Sequence, residues 1–245
     1  MDKIPGNRPT SKFTPTIELR GVTKTYVGQA SVVTALKGVD LRLFSGEFVA
    51  ITGKSGAGKT TLVNVLAGLD RLTSGEIRVH GVPIHQLGPD QLARWRRANV
   101  GVVFQSFELL PTLTVLENVT LPMDFLNAAS LHAQRERAMS LLESMEISEH
   151  AHKLPSAVSG GQQQRVAIAR AMANAPSILV ADEPTGSLDS VTASAVLSIF
   201  EGLARAEKTV VLVTHDTDVA ARADRQIILT DGHIVADTRK DIPSA

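Results

Sequence analysis

The sequence predicts an α/β protein in which helices cover a mostly parallel sheet. Three short β-branched runs, "EFVAIT" (47–52), "SILVAD" (177–182) and "TVVLVTH" (209–215), each feed straight into a helical pattern. The 245 residues suffice for one good core, or for a core with a small appended piece. With 43% hydrophobic and 20% charged residues, the chain has the composition of a globular protein.

Residues 1–15, "MDKIPGNRPTSKFTP", are polar and Pro-rich. They lack the apolar stretch of a signal peptide and read as a loose tail ahead of one domain over 16–245. Strands are expected at 16–22, 47–52, 76–81 and 99–105, each an apolar run bounded by turn residues. The strand pattern then stops, and a helical insertion over roughly 106–170 is the simplest reading. Thr114 and Glu117 have the spacing of a capping box. Ala138, Leu141, Leu142 and Met145 fall on one face of a following helix. Strands return at 177–182, 209–215, 226–230 and 233–237.

Composition removes several function classes. Lys plus Arg (25) equals Asp plus Glu (25), so the strong basic excess of a nucleic-acid binder is absent. There is no cysteine, which excludes a disulfide framework and thiol chemistry. No apolar run approaches the ~18 residues of a membrane span. The expectation is a soluble, cytoplasmic protein.

The strongest local signal is "GKSGAGKT", Gly53–Thr60. It matches G-x-x-x-x-G-K-[ST], with a strand before it and the helical "TLVNVLAGL" after it. Gly53, Gly56 and Gly58 allow a tight loop whose N–H groups turn inward on a phosphate. The helix dipole adds partial positive charge. Lys59 supplies a full charge to the β and γ phosphates, and Thr60 offers a hydroxyl to Mg²⁺.

Other candidates sit at strand ends. Asp182 and Glu183 close "SILVAD" and "E", and a parallel strand beside the cradle strand would deliver them to the phosphates. Asp182 would hold Mg²⁺, and Glu183 would polarise the attacking water. His215 ends "TVVLVTH"; a lone histidine is as readily structural as catalytic. Gln105 ends "VGVVFQ" and is equally at home as an ordinary strand-end residue. A second anion-holding stretch follows at "VSGGQQQR", Val158–Arg165. Ser159 and Gln162 have capping-box spacing there, so Ser159 can cap a helix that presents bare N–H groups.

As a set, these residues resemble the nucleotide-binding subunits of ABC transporters over about 16–238. The match has the Walker A "GKSGAGKT", the Gln105 loop, the signature "VSGGQ", the Walker B "ILVADEP", the D-loop "SLD" and the H-loop "TH", in the family's order. The resemblance implies a P-loop NTPase of the ABC-ATPase fold, with a mostly parallel core sheet, an N-terminal antiparallel β subdomain and a helical subdomain. It implies ATP and Mg²⁺ as cofactors. Gly53, Ser55, Gly56, Ala57, Gly58, Lys59, Thr60 and Thr61 would bind the nucleotide, and Tyr26 would stack on adenine. Thr60, Gln105 and Asp182 would surround the metal. Glu183 and His215 would be catalytic.

Ser159, Gly160, Gly161 and Gln162 would bind the γ phosphate of a nucleotide held mainly by a second copy. Asp189 would lie at that dimer seam. The other partner would be an integral membrane permease, with no nucleic acid involved and membrane contact only through the permease. That places the subunit at the cytoplasmic face of the membrane.

"FQSFELLPTLTVLENVTLP" and "ADEPTGSLDS" look like the branch of macrolide exporters, lipoprotein-release complexes and antimicrobial-peptide exporters. The same branch holds a cell-division ATPase, so force transmission without a cargo is the alternative. Two departures from the family pattern are Val158, where Leu is usual, and Lys54 inside the Walker A. Neither removes a ligand.

Overall fold

The computed structural model describes residues 14–28, 31–126 and 130–240. Apart from its last two residues, the tail expected over 1–15 lies outside them. In chain order the strands are β1 Ile17–Val27, β2 Val32–Leu43, β3 Phe48–Thr52, β4 Ser74–Val79, β5 Val82–Pro83, β6 Val100–Val103, β7 Ile178–Asp182, β8 Thr209–Val213, β9 Arg225–Thr230 and β10 His233–Arg239. The helices are α1 Lys59–Leu66, α2 Pro89–Asn99, α3 Val115–Asp124, α4 Leu131–Ser144, α5 Gly160–Met172, α6 Ser190–Arg205 and α7 Thr217–Arg222.

Two sheets result. Six strands in the order β10-β9-β3-β8-β7-β6 form the central sheet. All its neighbours pair in parallel except β10, which runs antiparallel to β9. The order β2-β1-β4-β5 forms an antiparallel sheet. The central strands are buried on both faces, which is why they read as continuous apolar runs rather than alternating ones. Phe48, Ala50, Leu179, Ala181, Val210 and Leu212 enter a core shared with α3, α4, α5 and α6. Val49, Ile51, Ile178, Val180, Val211 and Val213 enter a second core shared with α1 and the antiparallel sheet. The helices of the insertion therefore pack into one core with the sheet.

Two sequence readings change. First, 23–46 holds more strand than expected: β1 runs on to Val27, and β2 was not foreseen. Its first half is irregular, but Val39, Leu41 and Leu43 turn inward between the exposed Asp40 and Arg42, a five-residue alternation that the reading of apolar runs passed over. Second, the carboxylate strand β7 does not lie beside the cradle strand β3, because β8 separates them. No helix among the described residues is long and apolar enough to cross a membrane.

Candidate phosphate-binding site

Parallel strands deliver their carboxyl ends to one edge of a sheet, where ligands of such folds bind. Here β3 is followed by Gly53, β6 by Phe104 and Gln105, β7 by Glu183, and β8 by Thr214 and His215. The cradle loop 53–58 joins β3 to α1. Gly58 is the N-cap of α1 at φ 101°, with no side chain capping the helix. Among the described residues, the N–H groups of Ser55, Gly56, Gly58, Lys59, Thr60 and Thr61 have no partner, while Ala57 N–H donates to the Lys54 carbonyl at 3.1 Å. These free donors converge on one short loop, so an anion is the group that would satisfy them.

The loop is held tightly from outside. A Cβ on Gly53 would sit 2.2 Å from the Leu229 carbonyl oxygen, and one on Gly58 would sit 2.4 Å from that of Ala35. A side chain at either position collides with backbone. Gly56 differs: its missing Cβ would meet open space, and only its φ of +79° requires glycine. The Lys59 ammonium folds over the loop and donates to the carbonyls of Gly53 at 2.8 Å and Lys54 at 3.0 Å. Lys54 thus serves through its backbone, and its side chain is exposed.

The carboxylates reach this loop across β8. Thr60 Oγ1, at the start of α1, donates to Asp182 Oδ2 at 3.1 Å. Burial pushes the Asp182 carboxyl up, and the neighbouring Glu183 carboxylate adds to the shift against the opposing pull of Thr60 and Lys59. A half-buried carboxylate short of positive charge, beside a hydroxyl and an ammonium, fits a site for a divalent cation. Glu183 has a positive φ of 48°, and its N–H donates to the Val213 carbonyl at 2.9 Å. That left-handed backbone aims its side chain at the edge, where Glu183 Oε1 lies 2.7 Å from His215 Nδ1. The hydrogen bond that the imidazole donates to Glu183, and then the charge of that carboxylate, raise the exposed His215 above its ordinary value. Gln105 lies against the same turn: its Nε2 would be 3.3 Å from a Cβ on Gly186.

The structure therefore brings Gly53–Thr61, Gln105, Asp182, Glu183 and His215 to one edge. The signature residues stand apart, since no hydrogen bond links Ser159, Gly160, Gly161 or Gln162 to the cradle among the described residues. Ser159 Oγ accepts from Gln162 N–H at 3.3 Å, and Gln162 Oε1 accepts from Ser159 N–H at 2.8 Å. Asp189 caps α6, accepting from Val191 and Thr192 N–H and from the Thr192 hydroxyl at 2.6 Å. Thr192 was missed by sequence reasoning. Its methyl would lie 2.3 Å from a Cβ on Gly161, so a side chain there would have to displace Thr192. Lys24 and Asp70, which contact Tyr26, were also missed; nothing in the spacing of "TKTY" and "GLD" relates them.

The family profile "ABC transporter" matches residues 36–186, more than half of the chain. The chain belongs to the ABC transporter family. The ABC transporter ATP-binding protein MJ0796 of Methanocaldococcus jannaschii is 46% identical over 222 residues, covering 89% of this chain and 94% of that protein. A solved dimeric structure of that cassette matches with a TM-score of 0.84 at 44% identity, covering 91% of this chain and 98% of the other. A second dimer of the same cassette, in a post-hydrolysis state with ADP and Pi, matches equally well. The macrolide export ATP-binding/permease protein MacB of Sodalis glossinidius is 47% identical over 228 residues. The pyoverdine export ATP-binding/permease protein PvdT of Pseudomonas syringae is 46% identical over 232 residues. The chain spans about a third of the length of these two exporters, 35% in each case.

Proposed function

We propose that the chain is the ATP-hydrolysing subunit of a membrane-bound export system. The observation that carries this is the single edge where an uncapped helix start, a folded lysine, a half-buried aspartate and a Glu183–His215 pair converge. The cradle N–H groups and Lys59 bind the polyphosphate and offset its charge. Magnesium, held by Thr60, Asp182 and Gln105, would neutralise further phosphate charge. Glu183 accepts a proton from the attacking water, and His215 orients that carboxylate and donates to the γ phosphate.

Two copies bind two ATP molecules head to tail. Gly160 and Gly161 N–H, free in the single chain, complete the partner copy's site. Asp189 approaches the seam from the start of α6. The exposed Phe104 and Leu110, beside Gln105 in sequence, receive a helix of the permease. The subunit sits at the cytoplasmic face of the membrane. The export proteins among its relatives favour extrusion over the force-transmitting alternative.

Glu183→Gln tests the scheme. It removes the base and keeps the shape, so hydrolysis should fall by about 10²–10⁴-fold. The variant should elute as a dimer in ATP and as a monomer in ADP. Wild-type turnover by Glu183→Gln sinks the role of Glu183, and a monomer at high ATP and high protein concentration sinks the seam.

A further inference from the structure

The far end of β1 carries an arrangement that the phosphate chemistry does not use. Lys24 and Tyr26 are two residues apart on β1 and lie on the same side of it. The Lys24 ammonium sits 4.6 Å from the centroid of the Tyr26 ring. The same ammonium donates to Asp70 Oδ1 at 2.6 Å and to the Arg71 carbonyl at 2.7 Å. Asp70 in turn accepts the Tyr26 hydroxyl on Oδ2 at 2.7 Å and Arg71 N–H on Oδ1 at 2.7 Å. The lysine side chain is 12% exposed and that of Asp70 is 28% exposed, so the ion pair is shielded from water. The ring they hold stays 41% exposed.

An exposed tyrosine normally moves among rotamers, and ordering it on binding costs side-chain entropy. Here one face is closed by a cation and the hydroxyl is held by Asp70. We propose that Lys24 and Asp70 are positioning residues that preset Tyr26 as a one-sided stacking platform for the purine base of the nucleotide. The cation over the back of the ring draws on its π face, and the open face takes the base. This rests on the reading of Tyr26 as the adenine contact.

Tyr26 is the only tyrosine of the chain, so its ionisation can be followed alone. Burial raises its phenol above the ordinary value, Asp70 raises it further and Lys24 lowers it. The experiment uses the full chain, with fluorotyrosine incorporated and titrated by fluorine NMR, alongside steady-state ATP hydrolysis. Asp70→Asn should lower the phenol ionisation, and Lys24→Met should raise it. Both should raise KM for ATP roughly three- to ten-fold, as partial loss of a base stack would. Neither should change kcat at saturating ATP by more than about two-fold, nor inhibition by inorganic tripolyphosphate, which has no base. Lys24→Arg should restore KM.

Unchanged titration and KM in both variants overturn the proposal. Weaker tripolyphosphate binding overturns it too, since the damage then lies in the cradle. A Tyr26→Ala variant with normal KM defeats the adenine reading itself, whatever the titrations show.

Discussion

Two helix starts in this chain face opposite problems. At α1 the N-cap is a left-handed glycine with no side chain over the donors. At α5 the N-cap is Ser159, locked in a reciprocal capping box with Gln162. Among the described residues, the first leaves Ser55, Gly56, Gly58, Lys59, Thr60 and Thr61 N–H unpaired; the second leaves Gly160 and Gly161. A helix end left uncapped is less stable, and it persists where a ligand supplies the missing acceptors. The cradle is therefore built to be completed by an anion. The signature helix is already complete enough to stand alone, and it offers only a small outward set of donors. A strong site and a weak one in one chain suit a nucleotide that binds first to one copy and then recruits a second.

The comparison can be broken at its strong end first. Lys59→Met removes the ammonium that folds over the cradle, and hydrolysis should fall by at least about 10²–10³-fold with ATP affinity. Equilibrium binding of a fluorescent ATP analogue checks this, and retained affinity would mean the phosphates bind elsewhere. Ser159→Arg acts at the weak end. ATP affinity should stay within about two-fold, while turnover drops by roughly 10²-fold because the partner's nucleotide meets a bulky side chain. Ser159→Ala is gentler. Losing the cap should cost about 1 kcal/mol and lower Tm by about 2–4 °C. No such cap can be lost at α1.

Asp182→Asn sharpens the point, because it separates binding from stability. The Asp182 carboxyl is raised, mainly by burial, so its charged form is a cost that folding carries at neutral pH. The asparagine variant should lose hydrolysis yet melt about 2 °C higher in the nucleotide-free state, with the difference shrinking as pH falls and the aspartate takes up its proton. A lower Tm would show that the carboxylate stabilises the empty site.

The smallest effect concerns His215. Its folded value is raised by Glu183, so its contribution to stability is complete below the ordinary histidine value and fades as pH rises through the raised one. In an NMR titration, Glu183→Gln should move the His215 midpoint back down; no movement would mean the pair does not persist in solution.

Much of the site was legible because its signals are local. "GKSGAGKT" carries its loop, its lysine and its helix start within eight residues, and the capping boxes at Thr114 and Ser159 act over three. Apolar runs flagged β3, β7 and β8 because both faces of each are buried. β2 escaped notice because it has no continuous apolar run: its signal is the alternation of Val39, Leu41 and Leu43 with Asp40 and Arg42, preceded by an irregular first half. The antiparallel sheet came from the family resemblance and not from periodicity.

By itself, then, the sequence determined which short segments become strands, where helices start, and which stretches can hold phosphate. Only the tertiary structure decided that β8 lies between β3 and β7, and that Thr60 meets Asp182 from 122 residues away. It also decided that Asp70 and Lys24 close on Tyr26 and that Thr192 fills the space at Gly161. The reason is physical. Strands pair through backbone hydrogen bonds that are alike for every residue, so their order is set by how whole faces pack, and no short stretch of sequence encodes that.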